Sequence, residues 1–165
     1  MQLGEFNALD LDGARTSVDP CLGVGRWVEE LVAGRPYDDL AALLEQARAS
    51  AENLTDTELA AALTRHPRLG ERLGSHGADA AYSDREQDGL SSSSDAAAGL
   101  LSDGNRRYED RFGRVFLIRA SGRDSDQILD ELDRRLHNDA ETERDATVSE
   151  LRQIALLRLQ QTVTA

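Results

Sequence analysis

Apolar residues recur at spacings of three and four along nearly the whole chain. Trp27, Val28, Leu31 and Val32 share one helical face, and Leu40, Leu43, Leu44 and Ala47 share another. Thr55 and Glu58 stand three apart just before Leu59, Ala62 and Leu63, the spacing of a capping box at the start of a helix. Ile128, Leu129, Leu132 and Leu136 form a fourth stripe, and Val148, Leu151, Ile154 and Ala155 open a fifth. Only Val115-Phe116-Leu117-Ile118 reads as a strand. It is bounded by Gly113 and Gly122, and no second run is placed to pair with it. The pattern predicts an all-α fold, a single compact multi-helix domain over residues 1–165 with one short extended segment near 115–118.

The breaks between stripes follow from local chemistry. Proline restricts the residue before it, so His66-Pro67 predicts that the helix carrying Leu59 and Leu63 ends at His66. Asp124-Ser125-Asp126 suits a helix start, and Asn138-Asp139 a helix end. The stretch DGLSSSSDAAAG (88–99) is poor in helix formers; it reads as a weak helix continuing to about Tyr108, with a mobile loop as the other reading.

Composition then narrows the function. Acidic residues outnumber basic ones 31 to 19, a formal charge of −12. That balance repels phosphate backbones and anionic lipid, so nucleic acid and membrane surfaces are not expected partners. The first residues show no signal-peptide pattern, no apolar run approaches a membrane span, and the last residues carry no peroxisomal tripeptide, so a cytoplasmic location is expected. Cys21 is the only cysteine. An internal disulfide and a multi-cysteine zinc site are therefore out of reach. All 19 basic residues are arginine. Without lysine the chain cannot form a lysine Schiff base or a P-loop. Gly23-Val24-Gly25 follows no strand, so it is not a dinucleotide fingerprint, and His66, His76 and His137 lack metal-ligand spacing.

A few positions can carry chemistry. His66 is either a histidine at a helix end or a general acid or base titrating near neutrality. Ser83 and Glu86 fit a capping box, yet no regular apolar run follows them; at i and i+3 they can also address one ligand. Arg158 is the most informative. With Leu151 as the zero of a helical wheel at about 100° per residue, Ile154 falls near about −60°, Ala155 near about +40° and Arg158 near about −20°. A guanidinium in the centre of an apolar stripe needs acceptors. It is a structural ion pair, a snorkelling arginine, or a clamp for a carboxylate or carbonyl. Asp124, Asp126, Asp130 and Asp133 read as a solvated face.

These pieces, in order and spacing, resemble the 2-oxo-4-hydroxy-4-carboxy-5-ureidoimidazoline (OHCU) decarboxylase family. The resemblance runs from Phe6-Asn7-Ala8-Leu9 through Arg26-Trp27, Arg35-Pro36-Tyr37, His66-Pro67-Arg68-Leu69-Gly70 and Ser83-x-x-Glu86-Gln87. It continues with Asn105-x-x-Tyr108, Arg111-Phe112-Gly113, Arg135-Leu136-x-Asn138, Glu143 and Ile154-x-x-x-Arg158-Leu159. It implies an all-α carboxy-lyase without metal or cofactor that yields (S)-allantoin in urate degradation, with a homodimer as the plausible assembly. It implies catalytic roles for His66, Glu86 and Arg158, and substrate contacts from Pro67, Ser83, Gln87 and the segment Val115, Phe116, Leu117 and Ile118. His66 is the favoured proton carrier and Glu86 its competitor. Two positions depart from the family pattern: Arg114 stands where an apolar or aromatic residue is usual, and Asp88 where a small one is. They motivate a second reading, a same-fold protein binding a related ureido or purine-derived ligand. A third is a non-catalytic helical interaction domain.

Overall fold

Helix caps use part of the acidic surplus. In the computed structural model, which describes residues 1–69 and 95–165, the Asp10 carboxylate accepts from the Gly13 amide at 2.7 Å, Asp39 from Ala42 at 2.8 Å, Asp124 from Gln127 at 2.9 Å and Asp139 from Thr142 at 2.8 Å. Each bond satisfies an amide that the first turn of a helix leaves unpaired, worth about 1 kcal/mol. The Thr55–Glu58 capping box is present in both directions: Glu58 N–H donates to Thr55 Oγ1 at 3.2 Å, and the Glu58 carboxylate accepts from the Thr55 amide at 2.8 Å.

The helices that follow are α1 (Leu3–Ala8), α2 (Leu11–Leu22), α3 (Gly25–Ala33), α4 (Leu40–Ser50), α5 (Asp56–Leu63), α6 (Asp95–Phe112), α7 (Ser125–Leu136) and α8 (Ala140–Thr162). Among the described residues there is no named strand; Gln2 and Thr164 form an isolated bridge. The all-α expectation holds, and residues 115–120 run as a non-helical segment with Phe116, Leu117 and Ile118 buried. Two boundaries move. Helix α5 stops at Leu63 rather than His66, which sits in the turn that follows with its amide on the Leu63 carbonyl at 3.1 Å. Helix α6 runs past Tyr108 to Phe112, where Gly113 at φ 66° ends it. Of the 88–99 stretch, residues before 95 lie outside the described part.

The chain divides into two compact units. One comprises residues 1–62 with 151–165, the other 63–150. In the first, α3 packs on α2 and α4. Its buried residues include Phe6, Val18, Trp27, Leu31, Leu43, Leu151 and Leu159. The two ends of the chain meet there: Leu3 N–H donates to the Thr164 carbonyl at 2.8 Å and Thr164 N–H to Met1 at 2.9 Å. Several residues that carried the family resemblance are architectural in this unit. Asn7 and Tyr37 exchange bonds (Asn7 Nδ2 to Tyr37 O, 2.9 Å; Tyr37 N to Asn7 Oδ1, 3.0 Å), and Arg35 Nη1 donates to the carbonyls of Phe6 and Leu9, each at 2.8 Å. Trp27 Nε1 donates to Ala47 O at 2.9 Å, and Arg26 Nε to Glu58 at 2.8 Å.

The second unit is built on the α6–α7 pair, with a core of Leu69, Leu101, Tyr108, Phe116, Ile118, Ala120, Ile128, Leu132 and Leu136. The two helices approach closely at Gly104. A Cβ placed there would lie 2.4 Å from Leu132 Cδ2, well inside van der Waals contact. Alanine favours a helix interior by about 1 kcal/mol over glycine, whereas overpacking a core costs about 1–3 kcal/mol. Gly104→Ala is therefore expected to lower unfolding stability by about 1 kcal/mol. Combining it with Leu132→Ala should cost clearly less than the sum of the two single changes, measured by denaturant unfolding.

Candidate functional site

The non-helical segment after Gly113 poses a backbone problem. Phe116, Ile118 and Ala120 point into one core, a spacing of two that marks extended chain, yet no neighbouring strand pairs with it among the described residues. Ionised side chains take the place of a strand. Arg135 Nη1 donates to the Leu117 carbonyl at 2.6 Å, and the Arg119 amide donates to the Glu150 carboxylate at 2.8 Å. Alternate residues of an extended chain present their amides and carbonyls to the same edge. Leu117 and Arg119 thus belong to the edge that is held. Phe116 and Ile118 belong to the other edge, and their N–H groups have no hydrogen-bond acceptor among the described residues. Buried amides are nearly always paired in folded proteins, whereas those of Phe116, Leu117 and Ile118 have no acceptor among the described residues.

Arg135 reaches Leu117 from a network that is fully enclosed: Arg135 and Glu143 are both 0% exposed. Glu143 Oε1 accepts from Arg135 Nε at 2.9 Å, from Arg135 Nη2 and from the Tyr108 hydroxyl, and its Oε2 accepts from Asn138 Nδ2 at 2.9 Å. Arg135 Nη2 also donates to Thr147 Oγ1 at 3.1 Å, and its guanidinium lies 4.8 Å from the centre of the Phe116 ring. Glu150 is held in turn by Arg123 at 3.5 Å.

His66 and Pro67 occupy the turn after α5, where His66 is 7% exposed and Pro67 half-buried. The stretch is anchored to α6: Arg68 Nε donates to Glu109 at 2.6 Å, and Asn105 Nδ2 to the Leu69 carbonyl at 3.1 Å. Arg158, in the other unit, is 1% exposed, and the wheel argument is correct in placing it inside. Its Nη1 donates to the Pro20 carbonyl at 3.3 Å. Pro20 lies in the last turn of α2, whose carbonyls lack helical partners and carry the negative end of the helix dipole. Ser83, Glu86, Gln87 and Asp88 lie outside the described residues. Arg114 is half-buried, and its Nε is enclosed without a hydrogen-bond partner.

Sequence reasoning did not single out Arg135 as a buried charge, although its signal is the one that exposed Arg158. Arg135 follows Ile128 by seven, as Arg158 follows Leu151. On the wheel both fall about 20° from an apolar residue. Among the described residues no group of three or more His, Cys, Asp and Glu is arranged to hold a metal, and no helix is long and apolar enough to cross a membrane. An open surface groove lined by Arg107, Asp110, Arg111, Leu136 and His137 contains none of the candidate residues.

Comparison with known proteins bears on this arrangement. Residues 7–160 match the family model described as OHCU decarboxylase. The chain is 31% identical over 161 residues to a Homo sapiens protein provisionally named 2-oxo-4-hydroxy-4-carboxy-5-ureidoimidazoline decarboxylase, covering 96% of this chain and 89% of that one. It is 27% identical over 136 residues to the uric acid degradation bifunctional protein of Bacillus sp. (strain TB-90), covering 82% of this chain but only 27% of that larger protein. Among solved structures, OHCU decarboxylase in the presence of (S)-allantoin shares the fold with a TM-score of 0.73 at 23% identity, over 87% of this chain and 94% of that one. An (S)-allantoin synthase shares it with a TM-score of 0.75 at 15% identity, over 99% of this chain and 54% of that one.

The enclosed network has a pH signature. Burial first, and then the bond to the Glu143 carboxylate, push the Tyr108 phenol up to about 12. An unfolded tyrosine ionises near about 10, so between about pH 10 and 12 the folded state holds a proton that the unfolded state has lost. The stabilisation is complete below that window and declines as pH rises through it. Unfolding stability of the native sequence is therefore expected to fall more steeply over this window than that of Tyr108→Phe, as read by denaturant titrations at a series of alkaline pH values.

Proposed function

Since the chain belongs to the OHCU decarboxylase family, a family of carboxy-lyases, we propose that it converts 2-oxo-4-hydroxy-4-carboxy-5-ureidoimidazoline to (S)-allantoin and CO₂ in urate degradation, with His66, Glu86 and Arg158 as its catalytic groups. The structural observation that carries this reading is Arg158, a permanently charged guanidinium enclosed on an apolar helix face. Such a group is suited to a substrate carboxylate or a developing oxyanion.

The reaction breaks the bond between the ring carbon and its carboxylate. CO₂ departs, and the electron pair left on carbon is delocalised into the adjoining ring system. The ring nitrogen of the neighbouring C=N bond takes up a proton; the resulting enol then loses its 4-hydroxyl proton to become a carbonyl as a proton adds to one face of carbon 5, the ureido-bearing carbon, which sets the configuration of allantoin. Arg158 stabilises the negative charge. His66 engages the 4-hydroxyl and supplies or relays the proton, with Glu86 as the alternative carrier; general acid–base help of this kind contributes about 10²–10⁴ in rate. Ser83, Gln87 and Pro67 line the substrate. The free edge of the Val115–Ile118 segment offers backbone N–H and C=O groups, the complement of a ureido group's own carbonyl and N–H pairs. These residues and the match over 7–160 support one functional domain acting without metal or cofactor on a small molecule. A cytoplasmic homodimer that does not bind nucleic acid completes the reading, in keeping with the net charge of −12.

The test uses freshly generated substrate and circular dichroism. Spontaneous decay gives racemic allantoin and no growing signal, so an enzyme of this kind produces a rising signal of the S enantiomer; its absence would sink the reading. Arg158→Lys keeps the charge without the planar fork, and Arg158→Gln loses both. Turnover is expected to fall strongly in each, more in glutamine, with a loss of about 2–5 kcal/mol of transition-state stabilisation, while melting temperature changes little. An Arg158→Gln protein that melts early but retains normal activity in its folded fraction would mark the residue as a structural ion pair.

A further inference from the structure

We propose that Arg135 and Glu150 are positioning residues for substrate binding: together they fix the direction of the Ile118 N–H and C=O groups and so set the free edge of the 116–118 segment. The inference rests on the decarboxylase reading for the identity of the ligand, but its geometry is independent of it.

A trans peptide is planar, with its C=O and the following N–H pointing in opposite directions. The Leu117 carbonyl is held by Arg135 Nη1 at 2.6 Å. That bond fixes the Leu117–Ile118 peptide plane, and with it aims the Ile118 N–H away from Arg135. The Arg119 N–H is held by Glu150 at 2.8 Å. That second bond fixes the Ile118–Arg119 plane and aims the Ile118 carbonyl away from Glu150. Two consecutive planes are thus locked from one side, and both polar groups of Ile118 face the other side. Neither has a hydrogen-bond partner among the described residues.

The anchors are themselves immobilised. Arg135 cannot swing without breaking its bonds to Glu143 and Thr147. Its ring contact with Phe116 packs the side chain of the same segment whose backbone it holds. Glu150 is clamped less firmly, by Arg123 at 3.5 Å. A strand in a sheet would have its register set by a neighbouring strand. Here two charged side chains from α7 and α8 do that work and leave the opposite edge for an amide-like ligand, the chemistry of a ureido group.

Glu150 gives the cleaner test, because it bonds to neither Arg135 nor Glu143 and its loss leaves the Arg135 network whole. Glu150→Ala is expected to raise KM about tenfold with kcat within about twofold, the effect of misaiming one hydrogen-bonding group. Glu150→Gln keeps an acceptor for the Arg119 amide and should restore KM to within about threefold of the native value. Arg135→Lys should raise KM in the same direction. If it fails to fold, the Glu150 pair still decides. A purely structural role predicts otherwise: activity falls with the folded fraction and KM does not move. An unchanged KM in Glu150→Ala overturns the inference while native turnover leaves the decarboxylase reading standing. A native protein that makes no allantoin overturns that reading and this inference with it.

Discussion

The buried ion pair between Arg135 and Glu143 is the constraint on which the second unit depends. Removing two charges from water is costly, and their mutual attraction offsets that cost only when the remaining donors and acceptors are also satisfied. Here they are: Tyr108, Asn138, Thr147 and the Leu117 carbonyl complete the set. The partners come from α6, α7, α8 and the extended segment, so the pair is fully satisfied only when all four are in place. Loss of one member would leave the other charge enclosed and unpaired, an outcome costing about 3–5 kcal/mol. The network therefore selects one arrangement of the unit more than it adds to its total stability.

That selection explains how a segment with no strand partner among the described residues stays extended inside the second unit. An isolated strand-like run is normally either paired or exposed, because its peptide groups must bond to something. Phe116, Ile118 and Ala120 give it a reason to be inside. Arg135 and Glu150 supply the bonds on one edge. The run and its want of a partner are visible in the sequence, but the residues that resolve it lie 18 and 31 positions downstream, on helices whose apolar stripes look ordinary.

Legibility differs between fold and site for physical reasons. Period and caps are local, so the stripes of α3, α4, α5, α7 and α8 and the start of α7 at Asp124 could be read directly. The helix ends were less exact. His66-Pro67 predicts an end at His66 whereas α5 stops at Leu63, because the residue before proline is disfavoured in a helix and the rule does not say how much earlier the helix stops. Arg158 was legible as buried, since a charge on an apolar face leaves a mark in the wheel. Its Pro20 partner was not, because a contact with a backbone carbonyl 138 residues away leaves no pattern in the side chains. The proposed roles of Ser83, Glu86 and Gln87 rest on the resemblance, as these positions lie outside the described residues.

The absence of lysine takes on a structural meaning in this setting. At Arg135 one side chain must meet a carboxylate, a hydroxyl and a backbone carbonyl lying in different directions, and stack on an aromatic ring. A planar guanidinium with five donors does this in a single rotamer; an ammonium can offer the charge but not the fixed fork. Arg35, with two carbonyls at 2.8 Å, and Arg26, bridging Glu30 and Glu58, repeat the pattern in the first unit. Many residues that mark the family in this chain are thus fasteners: Asn7, Arg26, Trp27, Arg35, Tyr37, Asn105, Tyr108, Arg135, Asn138 and Glu143 all bond to other parts of the protein. A family match built on such residues constrains the scaffold strongly and the chemistry through far fewer positions.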